Sequence, residues 1–351
     1  MTRLSATASP HDPIAGAYLT TSRMVSVLML LTLLLLATVL LAAQFGSVRI
    51  SLVSAFADAS SSDHAIFFAA RLPRLIMAVI VGAVLAAVGA ALQALVRNPL
   101  AEGGILGISG GGALGAIIAL VFLTRVGAPE TTVVPLVAFG AALLSTVAVY
   151  RLAEVEGQLE PFTLLLVGVI FNAFWGAAIM VVNSVVNFYY AHTILFWLMG
   201  SLEAPTWHEI VLVAVLGLGG FVALMFYARD MNLLSLGDEA AAELGVDVDF
   251  LRRLIFVATS VMVGAVVSVS GIIAFVGLIV PHMLRIAFGS DHRLLIPASL
   301  IGGAAFMVVA DLIARVAIAP AEIPVGAITA LFGGPFFVYM LRREGGKPLG
   351  L

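Results

Sequence analysis

The sequence has no cysteine and little charge. Its 351 residues include 17 Lys and Arg and 20 Asp and Glu, so 11% of the chain is charged and the formal net charge is -3. Without cysteine the chain can form neither a disulfide framework nor a thiolate nucleophile or metal site. So small a net charge gives no sign of a nucleic acid partner. A phosphate-binding loop is also missing, because Gly345-Gly346-Lys347 lacks the upstream glycine and is followed by Pro348.

Apolar residues make up 62% of the sequence, which is typical of an integral membrane protein. A bilayer core of roughly 30 Å is crossed by about 20 apolar helical residues. Uncharged runs predict spans at 24–48, 75–96, 103–124, 131–150, 162–187, 210–228 and 325–341, with one or two more in 254–284, and the largely apolar run 294–317 predicts a further span. The polar turn 97–102 is expected at a membrane surface, and a short surface helix is expected to follow the fifth span and end at Gly200.

The distribution of positive charge decides how run 254–284 is divided. If Ser270-Gly271 is a hairpin, the chain has ten spans, and with the N-terminus inside 12 of the 17 Lys and Arg lie inside. The remaining five lie outside: Arg49, Arg71, Arg74, Arg125 and Arg315. Nine spans would divide the same residues almost evenly. The excess of positive charge in cytoplasmic loops therefore predicts ten helices and two cytoplasmic termini.

The predicted organisation is an all-α polytopic membrane protein with ten transmembrane helices. Residues 1–23 form a cytoplasmic N-terminal tail, 24–343 the transmembrane domain and 344–351 a cytoplasmic C-terminal tail. An uncleaved first helix is favoured over a signal peptide, because its uncharged run exceeds the 7 to 15 residues or so of a signal's apolar core.

Seven short motifs along this chain resemble the permease subunits of importers for iron chelates, haem and cobalamin, which belong to the ATP-binding cassette (ABC) transporters. The motifs occur in the family's order: Arg71-Leu-Pro-Arg74; Gln93 with Asn98-Pro-Leu-Ala-Glu102; Leu106-Gly-Ile-Ser109; the segment 237–245; Phe275-Val-Gly-Leu-Ile-Val-Pro-His282; Asp311-Leu-Ile-Ala-Arg315; and Glu322-Ile-Pro-Val-Gly326. The resemblance implies a homodimer of ten-helix subunits in the bacterial inner membrane, with two ATPase subunits that bind ATP and Mg and a periplasmic binding protein that delivers the ligand.

Asparagines on the fifth span are the candidate pathway residues. Asn172, Asn183 and Asn187 fall within a sector of roughly 60° of one helix, and Gly176 and Ile179 share that face. Amides in a membrane span face either a wet cavity or another helix. The family lines its pathway with this helix, so the resemblance favours a pathway, and hydrogen bonding between helices is the alternative.

The resemblance also implies a cytoplasmic gate. Asn98 and Leu100 match positions that narrow the pathway in the family, opposite the start of the fifth span. That start reads Pro161-Phe162-Thr163 here, where the cobalamin permease has two small hydroxyl residues. We expect Phe162 and Thr163 to make the gate bulkier. Alternatively, Asn98-Pro99 only ends a helix.

Three arginines are the predicted docking residues for the binding protein. Arg71, Arg74 and Arg315 lie outside by charge count, and family members use arginines at matching positions to hold glutamates of the binding protein. Arginine suits bidentate pairing with carboxylates. The alternatives are anchoring to lipid phosphate and, for Arg315, a pair with Asp311 within one helix.

The segment 237–248 is the predicted contact with the ATPase, because the matching helix of the family sits in a groove of that subunit. We expect a short surface helix that stops at Gly245. The predicted coupling residues are Asp238, Glu239, Ala241, Ala242, Glu243, Leu244 and Gly245. An ordinary solvated loop is the alternative.

Tyr189, Tyr190 and His192 near the outer mouth are candidate contacts for haem, although aromatic residues at this depth also serve as interface anchors. We predict no resident metal and no cofactor bound by this chain itself, and we expect membrane lipid around it. The leading hypothesis is a non-enzymatic permease that moves haem or a related iron chelate to the cytoplasm. A ferric siderophore or cobalamin is the alternative cargo. An ion-coupled secondary transporter or an intramembrane enzyme would be a different class, but Asp311 is the only acid well inside a span.

Overall fold

The computed structural model describes residues 19–124, 127, 129–203 and 205–344. Most of both predicted tails and Arg125 lie outside these residues. The α-helices are α1 Thr21–Gln44, α2 Leu52–Ala57, α3 Ser62–Ile66, α4 Leu72–Leu95, α5 Ile108–Ile118, α6 Glu130–Ala153, α7 Pro161–Val185, α8 Phe188–Leu198, α9 Trp207–Phe226, α10 Ala228–Leu234, α11 Asp238–Glu243, α12 Val248–Ser270, α13 Val276–Phe288, α14 His292–Val316 and α15 Val325–Glu344. Phe67–Arg71 and Ala119–Leu123 are π-helical turns, and β1 Glu154–Val155 pairs antiparallel with β2 Gln158–Leu159.

The apolar helices follow the predicted spans closely. Among the described residues seven helices are long and apolar enough to cross a membrane, and three shorter apolar ones correspond to the third, eighth and tenth predicted spans. The prediction of a polytopic all-α fold is therefore confirmed, whereas the number of crossings remains a prediction. The first helix begins at Thr21, three residues inside the predicted tail, because Thr20 accepts a hydrogen bond from the Arg23 amide and caps it.

Helix α4 lies at the centre of the bundle. It packs against α14, α13, α12 and α9, and most of its Ala- and Gly-rich sequence is buried. A Cβ added to Gly82 would lie 2.2 Å from the Gly303 carbonyl oxygen of α14, and one on Gly89 would lie 1.7 Å from the Gly277 carbonyl oxygen of α13. Small residues thus let three backbones approach more closely than any side chain would allow.

Two faces of the bundle are used as landmarks below. The α11 face carries Asp238, whose carboxylate accepts hydrogen bonds from Arg97 at the end of α4 and from Arg252 near the start of α12. The far face carries Arg71 and Arg74 at the opposite end of α4.

The predicted break in run 254–284 is present. Helix α12 ends at Ser270, Gly271 has φ of 68°, and α13 begins at Val276. Gly271 is required there, because a Cβ would lie 2.3 Å from the Trp197 carbonyl oxygen. Two separate helices therefore replace one long one.

The prediction that a span begins at 103, directly after turn 97–102, is wrong. Helix α5 begins only at Ile108, and a Cβ on Gly103 would meet Val263, about three turns further along α12 than Arg252. The segment 98–107 therefore turns back into the bundle from the α11 face. Its Glu102 carboxylate accepts a hydrogen bond of 2.9 Å from the Phe275 amide, just before α13. Irregular backbone at this depth is tolerated because protein surrounds it.

Candidate functional site

A groove of about 390 Å³ runs along one side of α7. Four of the five predicted pathway residues line it, namely Asn172, Gly176, Ile179 and Asn183. Residues that the sequence predicted on one face of a helix therefore do share one concave surface. Its other walls come from segment 98–107, α5, α8 and the α12–α13 connection, and their lining residues are Gly104, Ser109, Gly110, Ile194, Leu195, Leu198 and Ile272; Met180 of α7 completes the lining.

The asparagines of α7 differ in their bonding. Asn172 Nδ2 donates to the carbonyl oxygens of Gly104 at 2.8 Å and Ile105 at 3.1 Å, so this side chain lines the groove and also fixes the re-entrant segment. Asn183 Oδ1 is buried without a hydrogen-bond partner among the described residues. Both sequence interpretations, lining and hydrogen bonding between elements, thus apply to Asn172.

Asn187 is placed differently from the sequence prediction. Its side chain accepts a hydrogen bond of 3.2 Å from the Tyr190 amide and caps the start of α8, and it is not among the groove residues. A helix that ends at Val185 no longer carries Asn187 on its face. The prediction that Asn187 continues the polar stripe is therefore wrong.

Sequence reasoning missed the α8 residues and the start of α5 as parts of the groove. Ser109 and Gly110 reach it because segment 98–107 brings the first turn of α5 against α7, where a Cβ on Gly110 would already lie 3.1 Å from Trp175. A run of three glycines in a span was the available signal, because small residues mark close approach of helices.

The predicted aromatic contacts lie on α8. His192 is exposed and its ring packs 4.5 Å from that of Phe196, while Tyr190 packs against a buried cluster that includes Ile179 and Ile194. Neither is among the residues that line the groove. The Tyr189 side chain is outside the described part of the structure. A ligand contact at this position stays a prediction.

At the predicted gate, both elements carry local caps. Asn98 Oδ1 accepts a hydrogen bond of 2.9 Å from the Leu100 amide, which shapes the turn after α4. The amides of Phe162 and Thr163 donate to the Glu160 carboxylate and so cap α7. The Phe162 ring is left 73% exposed. The helix-stop interpretation of Asn98 is thus supported, and gating by these four residues stays a prediction.

The three predicted docking arginines are not free at the surface. Arg71 is only 6% exposed and donates to the carbonyl oxygens of Ala43, Gln44 and Val48 at 2.6 to 3.0 Å. Arg315 is buried as well and donates to those of Ala42 and Phe45. The last carbonyls of a helix have no partner within it. Arg71 and Arg315 satisfy them at the end of α1, so the prediction that they are exposed for docking is wrong.

Arg74 takes part in an ion-pair cluster at the far face. It donates to Asp311 at 2.8 Å and to Glu322 at 2.6 Å, and Arg315 donates to the second Asp311 oxygen at 2.9 Å. Asp311 is completely buried. The pair of Arg315 with Asp311 matches the alternative interpretation from the sequence. The cluster joins α4, α14 and the segment before α15, so these charges stabilise the fold.

The predicted coupling segment forms α11, which is six residues long. Glu239, Ala242, Glu243, Leu244 and Gly245 are exposed on it or directly after it. Asp238 pairs with Arg97 and Arg252 while its side chain stays 41% exposed, whereas Ala241 is completely buried. The prediction that Ala241 faces a partner is therefore wrong, because a helix of under two turns has one face inside.

A resident metal site is not evident in residues 19–124, 127, 129–203 and 205–344, where no three His, Asp or Glu side chains are grouped closely enough to hold an ion.

Comparisons with known proteins agree on one family. The model of the FecCD transport family matches residues 30–343. A cobalamin import system permease protein of Halobacterium salinarum is 44% identical over 276 residues, covering 78% of this chain and 72% of the relative. A hemin transport system permease protein of Yersinia pestis is 39% identical, covering 78% of this chain and 82% of the relative.

A solved ABC transporter of metal-chelate type, in an inward-facing conformation, has the same fold. It aligns with a TM-score of 0.80 at 30% identity, covering 91% of this chain and 99% of that one.

Proposed function

Since the chain belongs to the FecCD transport family, we propose that it moves haem, or a chelate of the same size class, along the α7 groove into the cytoplasm. The chain is a permease subunit of an ABC importer, and such permeases work with ATPase and substrate-binding partners. It is a transport component and not an enzyme. Transport is driven by ATP, which with its Mg binds the partner ATPase.

The observation that carries this proposal is the groove itself. Its wall combines uncharged amides with glycine and aliphatic side chains. Such a surface offers no charged ligand for a bare ion, and it suits a bulky chelate that binds weakly and slides past. Haem is our first candidate cargo, and a hemin permease is among the relatives. The second candidate is cobalamin, which the more identical relative is named for.

The groove is open on one side, which supports a homodimer. Met180 of α7 and Leu195 of α8 line it and are large, apolar and exposed. A second copy facing this side would close two grooves into one pathway and cover the apolar surface. A complex of two permease copies and two ATPase subunits follows from this symmetry.

The experiment that tests the function is uptake into proteoliposomes. Permease, ATPase and binding protein are reconstituted together, and entry of haem, cobalamin and a ferric hydroxamate is compared with and without ATP. Saturable ATP-dependent uptake of haem alone supports the proposal. Uptake of cobalamin instead would make cobalamin the cargo. Uptake without ATP would contradict the assignment to an ATP-driven importer.

Filling the groove should block transport without harming the fold. Gly176 has nothing within 4 Å of an added Cβ, so the side chain in Gly176→Trp projects into open groove space. We expect uptake to fall by about tenfold or more, equivalent to about 1.4 kcal/mol in the barrier. Gly219→Trp on α9 is the matched control, because it too has nothing within 4 Å. Equal uptake by both variants would exclude this groove as the pathway.

The proposed orientation places the α11 face in the cytoplasm, where the ATPase binds. The excess of Lys and Arg predicted inside supports it. A protease-accessible tag after Leu351 and another inserted between Arg3 and Ser22 should both be cleaved only from the cytoplasmic side. Cleavage of the Leu351 tag from the periplasm would mean an odd number of crossings.

A further inference from the structure

The α11 face contains a second and larger cavity, of about 790 Å³. Its walls come from the start of α1, the end of α4, α10 and the turn between α13 and α14. It shares no lining residue with the α7 groove. None of the roles assigned above uses it.

Positive charge dominates the wall of this cavity. Arg23, Arg97 and Arg285 line it, against the single carboxylate of Asp291. Burial acts to raise the pKa of Asp291, but hydrogen bonds from Arg293 and Asn232 outweigh it and hold that pKa at about 2. Asp291 is therefore ionised at neutral pH, and Arg293, which does not line the cavity, neutralises it.

The three arginines differ in the hydrogen-bond acceptors that they already contact within the chain. Arg97 donates to Asp238 at 3.1 Å, and Arg23 donates to the Phe288 carbonyl oxygen at 3.0 Å. Arg285 is partly buried, and within the described residues it has no hydrogen bond and no ion pair. A guanidinium withdrawn from water without an acceptor is costly. An anion from outside the chain would remove that cost.

The surroundings of Arg285 indicate where the anion comes from. Leu19, Leu236 and Phe288 make much of the cavity wall apolar. A soluble anion would contact only the arginines, whereas a lipid would also cover these apolar side chains.

We propose that this cavity binds the phosphate of an anionic phospholipid, held by Arg285 with support from Arg23 and Arg97. Basic pockets between transmembrane helices bind such headgroups, and arginine pairs with phosphate through two parallel hydrogen bonds. The glycerol and upper acyl carbons pack on Leu19 and Phe288. Because Ser235 and Leu236 lie just before Gly237, which caps α11, a bound lipid lies next to the segment proposed to meet the ATPase. The proposal is independent of which chelate is transported.

The test is lipid binding by the purified full-length chain in detergent, measured by native mass spectrometry. The probes are dioleoyl phosphatidylglycerol, dioleoylglycerol, which lacks the phosphate, and inorganic phosphate as a free anion. Phosphatidylglycerol should bind, and Arg285→Gln should weaken it by about tenfold or more, as expected for loss of a charged hydrogen bond. Arg253→Gln, an exposed arginine on α12 outside the cavity, is the control and should bind like wild type.

A second variant keeps the test decisive if Arg285→Gln does not fold. Ser235→Glu leaves all arginines in place and puts a carboxylate in the cavity wall, where it should compete with the lipid phosphate. Wild-type binding of phosphatidylglycerol by either folded variant would overturn the proposal, as would equal binding of dioleoylglycerol. Displacement of the lipid by inorganic phosphate would overturn the lipid assignment in favour of a free anion. Failure of chelate uptake affects none of these readouts.

Discussion

Replacement of Asp311 by alanine should remove most of the folded permease. The carboxylate is fully buried and accepts from Arg74 at 2.8 Å and from Arg315 at 2.9 Å. Its loss leaves two largely buried guanidinium groups without their shared counter-charge. Removing one partner of a buried ion pair typically costs 3 to 5 kcal/mol, so we expect roughly that loss of stability.

The measurement is the thermal midpoint and the recovery of monodisperse protein in detergent. Glu322→Gln is the matched control, because Arg74 then keeps Asp311 and the Glu322 side chain is already 22% exposed. It should lose far less stability than Asp311→Ala. If the two variants were equally stable, the cluster would not hold α4 and α14 together as described.

Substitution on the outer surface of α11 should uncouple the transporter without unfolding it. Ala242 and Leu244 are exposed and Leu244 is 60% accessible, so Ala242→Arg or Leu244→Asp changes only the surface offered to the ATPase. A central contact of a protein interface contributes about 2 kcal/mol or more, which is about a 30-fold change in affinity. We expect co-purification of the ATPase and ATP-driven uptake to fall together.

Ala241→Arg provides the contrast on the same helix. Ala241 is buried, so an arginine there should destabilise the permease itself. Glu156→Arg, on the exposed turn between β1 and β2, adds the same side chain outside α11 and should leave uptake unchanged. Full uptake by Ala242→Arg and Leu244→Asp would mean that the ATPase contacts another part of the permease.

How far the sequence predicts this molecule depends on the kind of signal. Long uncharged runs located the helices, and charge asymmetry located the break at Gly271, because both reflect the cost of polar groups in lipid. The helical period also predicted that Asn172, Gly176, Ile179 and Asn183 line one surface, and all four line the groove. These are local or additive properties, which a sequence displays directly.

Properties set by distant partners were not predictable in the same way. Charge counting placed Arg71 and Arg315 outside but could not show that each donates to carbonyls at the end of α1, and for Arg315 that contact spans 273 residues of sequence. The inward return of segment 98–107 likewise depends on Glu102 meeting Phe275. In α11 three consecutive alanines offer no pattern that identifies Ala241 as the buried one.

The peripheral position of α1 has a consequence for biosynthesis. This helix packs mainly on α14, whose Arg315 is translated 270 residues after Phe45. At about 5 to 20 residues per second, the ribosome needs roughly 15 to 55 s to make the partner. During that interval α1 must remain in the bilayer without its main partner. Its mean hydropathy of 2.8 and its exposed leucines, among them Leu30, Leu34 and Leu41, make the separate helix stable in the bilayer. The first helix is thus built to be stable in lipid long before it becomes part of a bundle.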